Sequence, residues 1–171
     1  MRTLFLNGTV GAGKTTVAGA IGAILRERGV AHAVIDLDAL RDAWPAPVDD
    51  PFNSALELRN LAAVAANYRQ AGVTHLVLAG VIETLDGRSE YERVLGPDLR
   101  VCRLDVDLDV VRQRLAGRHA LESSSLAWHL DRSGELQAIL ESAAVEDSVV
   151  DVTALSVADA AAAVLRATSW L

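Results

Sequence analysis

The chain has a single cysteine, Cys102, which excludes an internal disulfide and a cysteine-built zinc cluster. Cys102 falls in a predicted strand, where a buried and inert thiol is expected. Aromatic residues make up only 4% of the chain, so the core has to be aliphatic. No apolar run approaches the ~20 residues that cross a bilayer. The opening residues lead straight into a strand pattern and carry no signal-peptide pattern. A cytoplasmic protein with no membrane partner is therefore expected. The formal net charge of -7 opposes the basic face of a nucleic-acid binder, and no nucleic-acid partner is expected. A small anionic ligand is still allowed, because a few arginines in a cleft suffice. At 171 residues, 51% of them apolar, the chain reads as a single domain over residues 1–171.

What the chain does have is Gly8-Thr9-Val10-Gly11-Ala12-Gly13-Lys14-Thr15. This stretch fits G-x-x-x-x-G-K-[ST], the phosphate-binding P-loop. Its flanks fit as well. Arg2 to Asn7 reads as a strand, and Thr16 to Arg28 carries Val17, Ile21, Ile24 and Leu25 at helical spacing. Gly8, Gly11 and Gly13 open backbone conformations closed to other residues, so the amides of Val10, Ala12 and their neighbours can turn inward to phosphate oxygens. The following helix, entered through Lys14, Thr15 and Thr16, adds its positive end. Lys14 is placed to reach the β- and γ-phosphates of a nucleotide, and the Thr15 hydroxyl to hold Mg²⁺.

Strand and helix patterns alternate from there to the end of the chain. Strands are predicted over 30–35, 74–79, 99–104 and 148–152, and helices over 53–70, 83–95, 107–119, 123–142 and from Ser156 onward. Ser156 and Asp159 have the spacing of a capping box. The proline-broken stretch Trp44 to Pro51 cannot continue a helix. The alternation predicts an α/β fold, a mostly parallel sheet with helices on both faces. In such sheets ligands sit beyond the carboxyl ends of the strands.

Those ends deliver the candidate chemistry. The second strand delivers Asp36, Asp38 and Arg41; the third delivers Gly80 and, further on, Glu83; the fourth delivers Asp105 and Asp107. Asp36 and Asp38, two apart, would share one side of a strand. Asp38 is the better placed to hold an acceptor hydroxyl and help remove its proton, and Asp36 to take a water of the Mg²⁺ shell; either could instead cap the turn that follows. Leu76 to Gly80 lacks the acid that usually closes a Walker B strand, which speaks against a motor-type ATPase. Arg114 and Arg118 share a helix face and could neutralise charge on the transferring phosphoryl. Glu57, Arg59 and Asn60 either line an acceptor pocket or form a solvated face. Phe52 and Trp44 flank the proline loop, and either could cover a flat ligand. His32, His75, His119 and His129 read as surface residues.

With these residues the chain resembles a small P-loop kinase of the nucleoside-monophosphate-kinase superfamily, over nearly its whole length. It is most similar to the adenylylsulfate kinase and chloramphenicol phosphotransferase branch. Gly8 to Thr16 is similar to the adenylylsulfate kinase loop, and Asp36 to Arg41 resembles that family's Asp-Gly-Asp-Asn-x-Arg segment. Phe52 to Leu61 resembles its substrate segment, with Phe52 and Asn60 matching and Glu57 where the family has a substrate arginine. The family's lysine-rich lid is absent, since Leu121 to Trp128 is serine-rich and apolar. The resemblance implies a three-layer α/β/α sandwich with a five-stranded parallel sheet in the order 2-3-1-4-5. It implies ATP as donor, Asp38 at the acceptor hydroxyl, and Arg41, Phe52 and Asn60 as substrate contacts. It also implies a lid at about 112–135 carrying Arg114 or Arg118, and Val152 and Thr153 near adenine.

The leading expectation is an ATP- and Mg²⁺-dependent kinase, monomer or homodimer, that phosphorylates a hydroxyl of a small molecule. A nucleotide-binding switch with little turnover and an antibiotic phosphotransferase are the alternatives.

Overall fold

A computed structural model describes residues 1–118 and 123–171, with side chains described outside 118–128. Within the predicted lid at about 112–135, residues 119–122, His119 among them, and the side chains of 118–128, Arg118 among them, therefore lie outside what is described. The elements run β1 (Arg2–Asn7), α1 (Lys14–Glu27), β2 (His32–Asp36), α2 (Asp38–Arg41), α3 (Ser54–Gln70), β3 (His75–Ala79), α4 (Leu85–Leu95), β4 (Leu99–Asp105), α5 (Leu108–Arg118), α6 (Ser123–Ala143), β5 (Ser148–Asp151) and α7 (Val157–Ala167). The strands form one sheet in the order β2-β3-β1-β4-β5, the order expected from the resemblance. Every pairing is parallel, with Leu6 level with Ala79 on one side and Cys102 on the other.

Parallel strands need helical crossovers, and these cover both faces of the sheet. β1 therefore has no solvent face, and Thr3 to Asn7 are all buried. Its side chains alternate between two cores, as the period of two requires. Leu4 and Leu6 enter a core with Val17, Ile21 and Leu25 of α1 and Val164 of α7. Phe5 enters the opposite core with Leu37, Leu61, Leu78 and Tyr91. Both are mainly aliphatic, as the shortage of aromatics required. Phe5 and Tyr91 meet edge to face at 5.0 Å, and the buried Trp170 meets His75 in the same manner, also at 5.0 Å. Cys102 is buried, as expected.

Several boundaries differ from the sequence reading for identifiable reasons. β2 begins at His32 rather than Val30 because the Val30 amide closes α1, donating to Leu25 O at 2.9 Å next to Gly29 at φ +67°. α4 begins at Leu85, capped by Thr84, whose hydroxyl accepts from the Gly87 amide at 3.0 Å. Asp38 is not on a strand. The Leu37 amide donates to Ala79 O at 3.0 Å, β2 ends at Asp36, and Asp38 opens the short α2. The capping box of α7 is present, with the Asp159 amide donating to Ser156 Oγ and that hydroxyl donating to the Asp159 carboxylate. Among the described residues no helix is long and apolar enough to cross a membrane.

The consequence for function is positional. The chain leaves β1 for β2 and β3 on one side, then crosses to β4 and β5 on the other. The carboxyl end of β1 lies at this switch in strand order, where the sheet opens a crevice. The glycine-rich loop begins there.

Candidate active site

The loop between β1 and α1 is a turn that only glycine permits at its key points. Gly8 has φ +147°, and a Cβ there would stand 2.9 Å from the carbonyl oxygen of Leu104. Gly13, at φ +92°, precedes α1 and carries the chain into the helix. The first turn of α1 contains no acidic residue, so the positive end of the helix is not neutralised by its own side chains. Lys14 Nζ lies over the loop, donating to Gly8 O at 2.8 Å and Thr9 O at 3.0 Å. Lys14 is the chain's sole lysine, so no other ammonium can stand in for it at a phosphate. The Ala12 amide donates to Thr9 O at 3.2 Å and is spent on the turn itself.

Two residues outside the motif hold this turn in place. The Asn7 side chain is fully buried. Its Oδ1 accepts from the amides of Gly8 at 3.0 Å and Ile82 at 3.1 Å, and its Nδ2 donates to Ile82 O at 3.0 Å. Asn7 thus ties the start of the loop to the segment after β3, next to where a Walker B acid usually sits. From the other side, Thr9 Oγ1 donates to Ser133 O of α6.

A cavity of about 620 Å³ opens from the loop across the ends of β2 and β3. Thr15 Oγ1 donates to Asp36 Oδ2 at 2.8 Å, which brings the predicted metal-side pair together. The other oxygen, Oδ1, accepts from the Asp38 amide at 3.1 Å, so Asp36 also fixes the start of α2. Asp38 is exposed to the cavity and ion-paired with Arg41. Arg41 also faces Glu57 at 3.5 Å. Glu57, only 3% exposed, accepts a short hydrogen bond from the Tyr91 hydroxyl. Burial pushes the Glu57 carboxyl above its ordinary range, although Tyr91 and Arg41 pull the other way. Burial, reinforced by the Glu57 charge, also raises the Tyr91 phenol. Burial alone would lower Arg41, but Asp38 and Glu57 outweigh it and hold the guanidinium charged.

Other predicted residues divide. Val10, Gly11, Gly13, Thr16 and Phe52 line the cavity. Asn60 does not; its amide donates to Leu40 O at 2.7 Å. With Asn53, which donates to Arg41 O at 3.0 Å and Ala43 O at 2.8 Å, it fastens α2 onto α3. Arg59 is on the solvated face, and Trp44, 93% exposed, lies off the cavity. Asp105 pairs with Arg103 at 3.0 Å, and Asp107 caps α5 through the Asp109 amide at 2.7 Å. Val152 is buried in the core, and the Thr153 hydroxyl accepts from the Asp107 amide at 3.0 Å. Neither lines the cavity. Arg114 reaches back over the loop, its Nη1 4.0 Å from where a Gly13 Cβ would stand, while Arg112 pairs with Asp109.

The sequence reading missed Arg132, and it set His129 on the surface. Both project from α6 into the cavity. Arg132 pairs with Glu83 at 2.5 Å and Glu135 at 3.0 Å, with its guanidinium carbon 6.0 Å from the Phe52 ring centre. Locally Arg132 shows only an i,i+3 pair with Glu135, common on any solvated helix; the contacts that bring it to the cavity, Glu83 and Phe52, lie far away in sequence. Asn7 had a signal, a lone polar residue closing an apolar strand immediately before the loop glycine.

The adenylylsulphate kinase family model matches residues 1–116, from β1 into α5. The chain belongs to the adenylylsulphate kinase family. It is an ATP-dependent kinase that transfers phosphoryl to a small molecule. No curated protein matches its sequence significantly. Solved structures with the same fold include a Mycobacterium tuberculosis APS kinase in complex with AMPPNP and APS, at 22% identity and TM-score 0.66, covering 98% of this chain and 97% of that one. A gluconokinase from Sinorhizobium meliloti matches at 22% identity and TM-score 0.64, covering 98% and 94%. A Deinococcus radiodurans tunicamycin resistance protein matches at 21% identity and TM-score 0.67, covering 96% and 94%. At these identities the likeness fixes the fold and not the acceptor.

Two outcomes are expected. Asn7→Ala strands two buried amides and a carbonyl and should cost about 2–4 kcal/mol, read by urea unfolding; a loss under about 0.5 kcal/mol would remove the clamp from the account. Lys14→Ala should abolish thermal stabilisation by ATP, which in the parent amounts to about 2.7 kcal/mol at a hundredfold excess over Kd. Undiminished stabilisation would take the phosphates away from this loop.

Proposed function

We propose that the cavity is where phosphoryl passes from ATP, held on the glycine loop, to an acceptor hydroxyl at Asp38. The observation that carries this reading is a convergence. The loop, the Thr15–Asp36 pair and the Asp38–Arg41 pair all open into one cavity.

Lys14 and the amides at the start of α1 bind the donor phosphates, and Arg114 covers them from α5. Arg118, on the same helix face in the sequence reading, shares that task. Asp38 accepts the proton side of the acceptor hydroxyl and orients its oxygen in line with the γ-phosphoryl. Little covalent chemistry is asked of the protein in such a transfer; positioning and charge stabilisation do most of it. Arg41 holds the Asp38 carboxylate in place, and α3 in turn holds Arg41 through Glu57. Val152 and Thr153 border the adenine through the backbone of the turn after β5. Asn60 acts on the acceptor at one remove, through the position of α2.

The Thr15 hydroxyl and the Asp36 carboxylate fit Mg²⁺. They are hard oxygen donors meeting at 2.8 Å beside the loop. Mg²⁺ in such sites is held by one or two protein oxygens together with the substrate phosphates, which this pair allows. When bound, that ion screens charge on the β- and γ-phosphoryl oxygens.

The test is a coupled ADP assay over nucleotides, sugars, adenylylsulfate and antibiotics bearing hydroxyls. A kinase releases ADP in proportion to a specific acceptor, whereas a switch binds ATP with no acceptor dependence. Asp38→Asn should keep ATP affinity and lose about 10²–10⁴-fold in kcat; full activity would end its role. Arg114→Ala should lower kcat about 10- to 100-fold with Kd for ATP little changed, and a pure affinity loss would make it a binding residue alone.

A further inference from the structure

The acceptor half of the cavity has an unusual charge arrangement. Its walls present Asp38, Glu57, Glu83 and Glu90 against two guanidiniums, those of Arg41 and Arg132. Both guanidiniums are already engaged. Arg41 sits between Asp38 and Glu57, and Arg132 between Glu83 and Glu135. An anionic acceptor would have to pull a guanidinium away from its carboxylates. At Arg41 that would leave Glu57, 3% exposed, with its neighbouring positive charge withdrawn. A buried carboxylate stripped of its partner is strongly unfavourable. Bringing a second anion beside it adds like-charge repulsion in a medium that screens poorly. The opposite wall offers Phe52, half exposed, with Arg132 over its ring rather than reaching into the cavity as a free cation.

We propose that the acceptor is a hydroxyl compound without anionic groups, uncharged or amine-bearing, and that the two carboxylate-paired arginines disfavour sulfated, phosphorylated and carboxylated acceptors. The proposal rests on the reading of the cavity as a kinase acceptor site and adds the class of molecule admitted. Carboxylates outnumber guanidiniums on these walls, so an amine is favoured over an acid of the same shape. Glu57 acts here as a specificity residue. It cancels Arg41 electrostatically and is held in place by the Tyr91 hydroxyl.

The experiment is a thermal-shift titration of the AMPPNP-loaded protein with adenylylsulfate, on the parent, Glu57→Gln and Glu83→Gln. Each substitution removes the charge of one of a guanidinium's two carboxylate partners, Glu57 from Arg41 or Glu83 from Arg132, and leaves the other partner, Asp38 or Glu135, in place. Glu83 is partly exposed, so its variant is expected to keep the fold even if the buried Glu57 variant does not. The parent should show no added stabilisation at about 1 mM adenylylsulfate, and at least one variant should gain binding by about tenfold, the effect of one unmasked charge pair. Stabilisation of the parent by adenylylsulfate would overturn the proposal and leave phosphoryl transfer intact. Absence of gain in every folded variant would overturn it too, since pairing would then not be what excludes the anion. An anionic compound used best in the ADP assay would have the same force. Failure of AMPPNP itself to stabilise the parent would overturn the phosphate-cradle reading, and this proposal with it.

Discussion

The site depends on one buried amide. Asn7 ends the central strand, and its side chain satisfies three backbone groups, one in the phosphate loop and two beyond β3. Those groups belong to segments with no regular structure of their own, in a region too buried for water to serve them. A backbone group left unpaired there is costly, so the clamp is close to obligatory once the loop has its shape. The shape in turn comes from Gly8, whose missing side chain lets the loop pass close against Leu104. The phosphate loop and the segment after β3, both bordering the cavity, are thus fixed to the same residue.

The sheet makes this arrangement stiff. β1 lies between β3 and β4, and its side chains alternate into two separate cores. A shift of the loop would require β1 to slide in register against both neighbours, which would turn every one of its buried side chains to the wrong face. The donor half is therefore held by the most buried strand of the molecule. The acceptor half is built differently. It stands on α2, a single turn of helix, fastened to α3 by the amides of Asn53 and Asn60 and by the Asp38–Arg41–Glu57 pairs.

How much of this could be read from the sequence follows from that contrast. The glycine loop is contiguous, so its residues and their spacing state the backbone they need, and the strand order came with the resemblance they carry. Asp36 and Thr15, which the sequence assigns to one metal side, do meet in space because each ends or begins an element at the same edge of the sheet. Asp38 was placed on a strand because the hydrogen bond that ends β2 early comes from Ala79, a residue of the neighbouring strand. Asn60 was assigned to the acceptor for a related reason. Its helix was legible, but its partner, Leu40, could be known only from how α2 folds back. Arg132 was invisible, since it acts through Glu83 and Phe52, both far from it in the chain. Residues whose work is local were legible; those whose work is to close a distance were not.

The same division separates what the fold requires from what the acceptor requires. Phosphates need a ring of amides, a cation and a hard-oxygen pair, and on the proposed reading these come from backbone shape and from Lys14, Thr15 and Asp36. Nothing in that set distinguishes one hydroxyl compound from another. On the proposed reading, discrimination comes from the charges around the accepting oxygen, and on these walls both guanidiniums are paired with carboxylates of the protein, which outnumber them. Glu57 occupies a helix position whose side chain must point into the cavity wall, two turns before Ala65 enters the core on the same face. A cation there would leave Arg41 with Asp38 alone and make the wall a receptor for anions. A carboxylate there closes the network instead, and Tyr91 holds it closed. On the proposed reading, the residue at position 57 sets the sign of the acceptor site, while the phosphate loop, Thr15 and Asp36 stand apart from it.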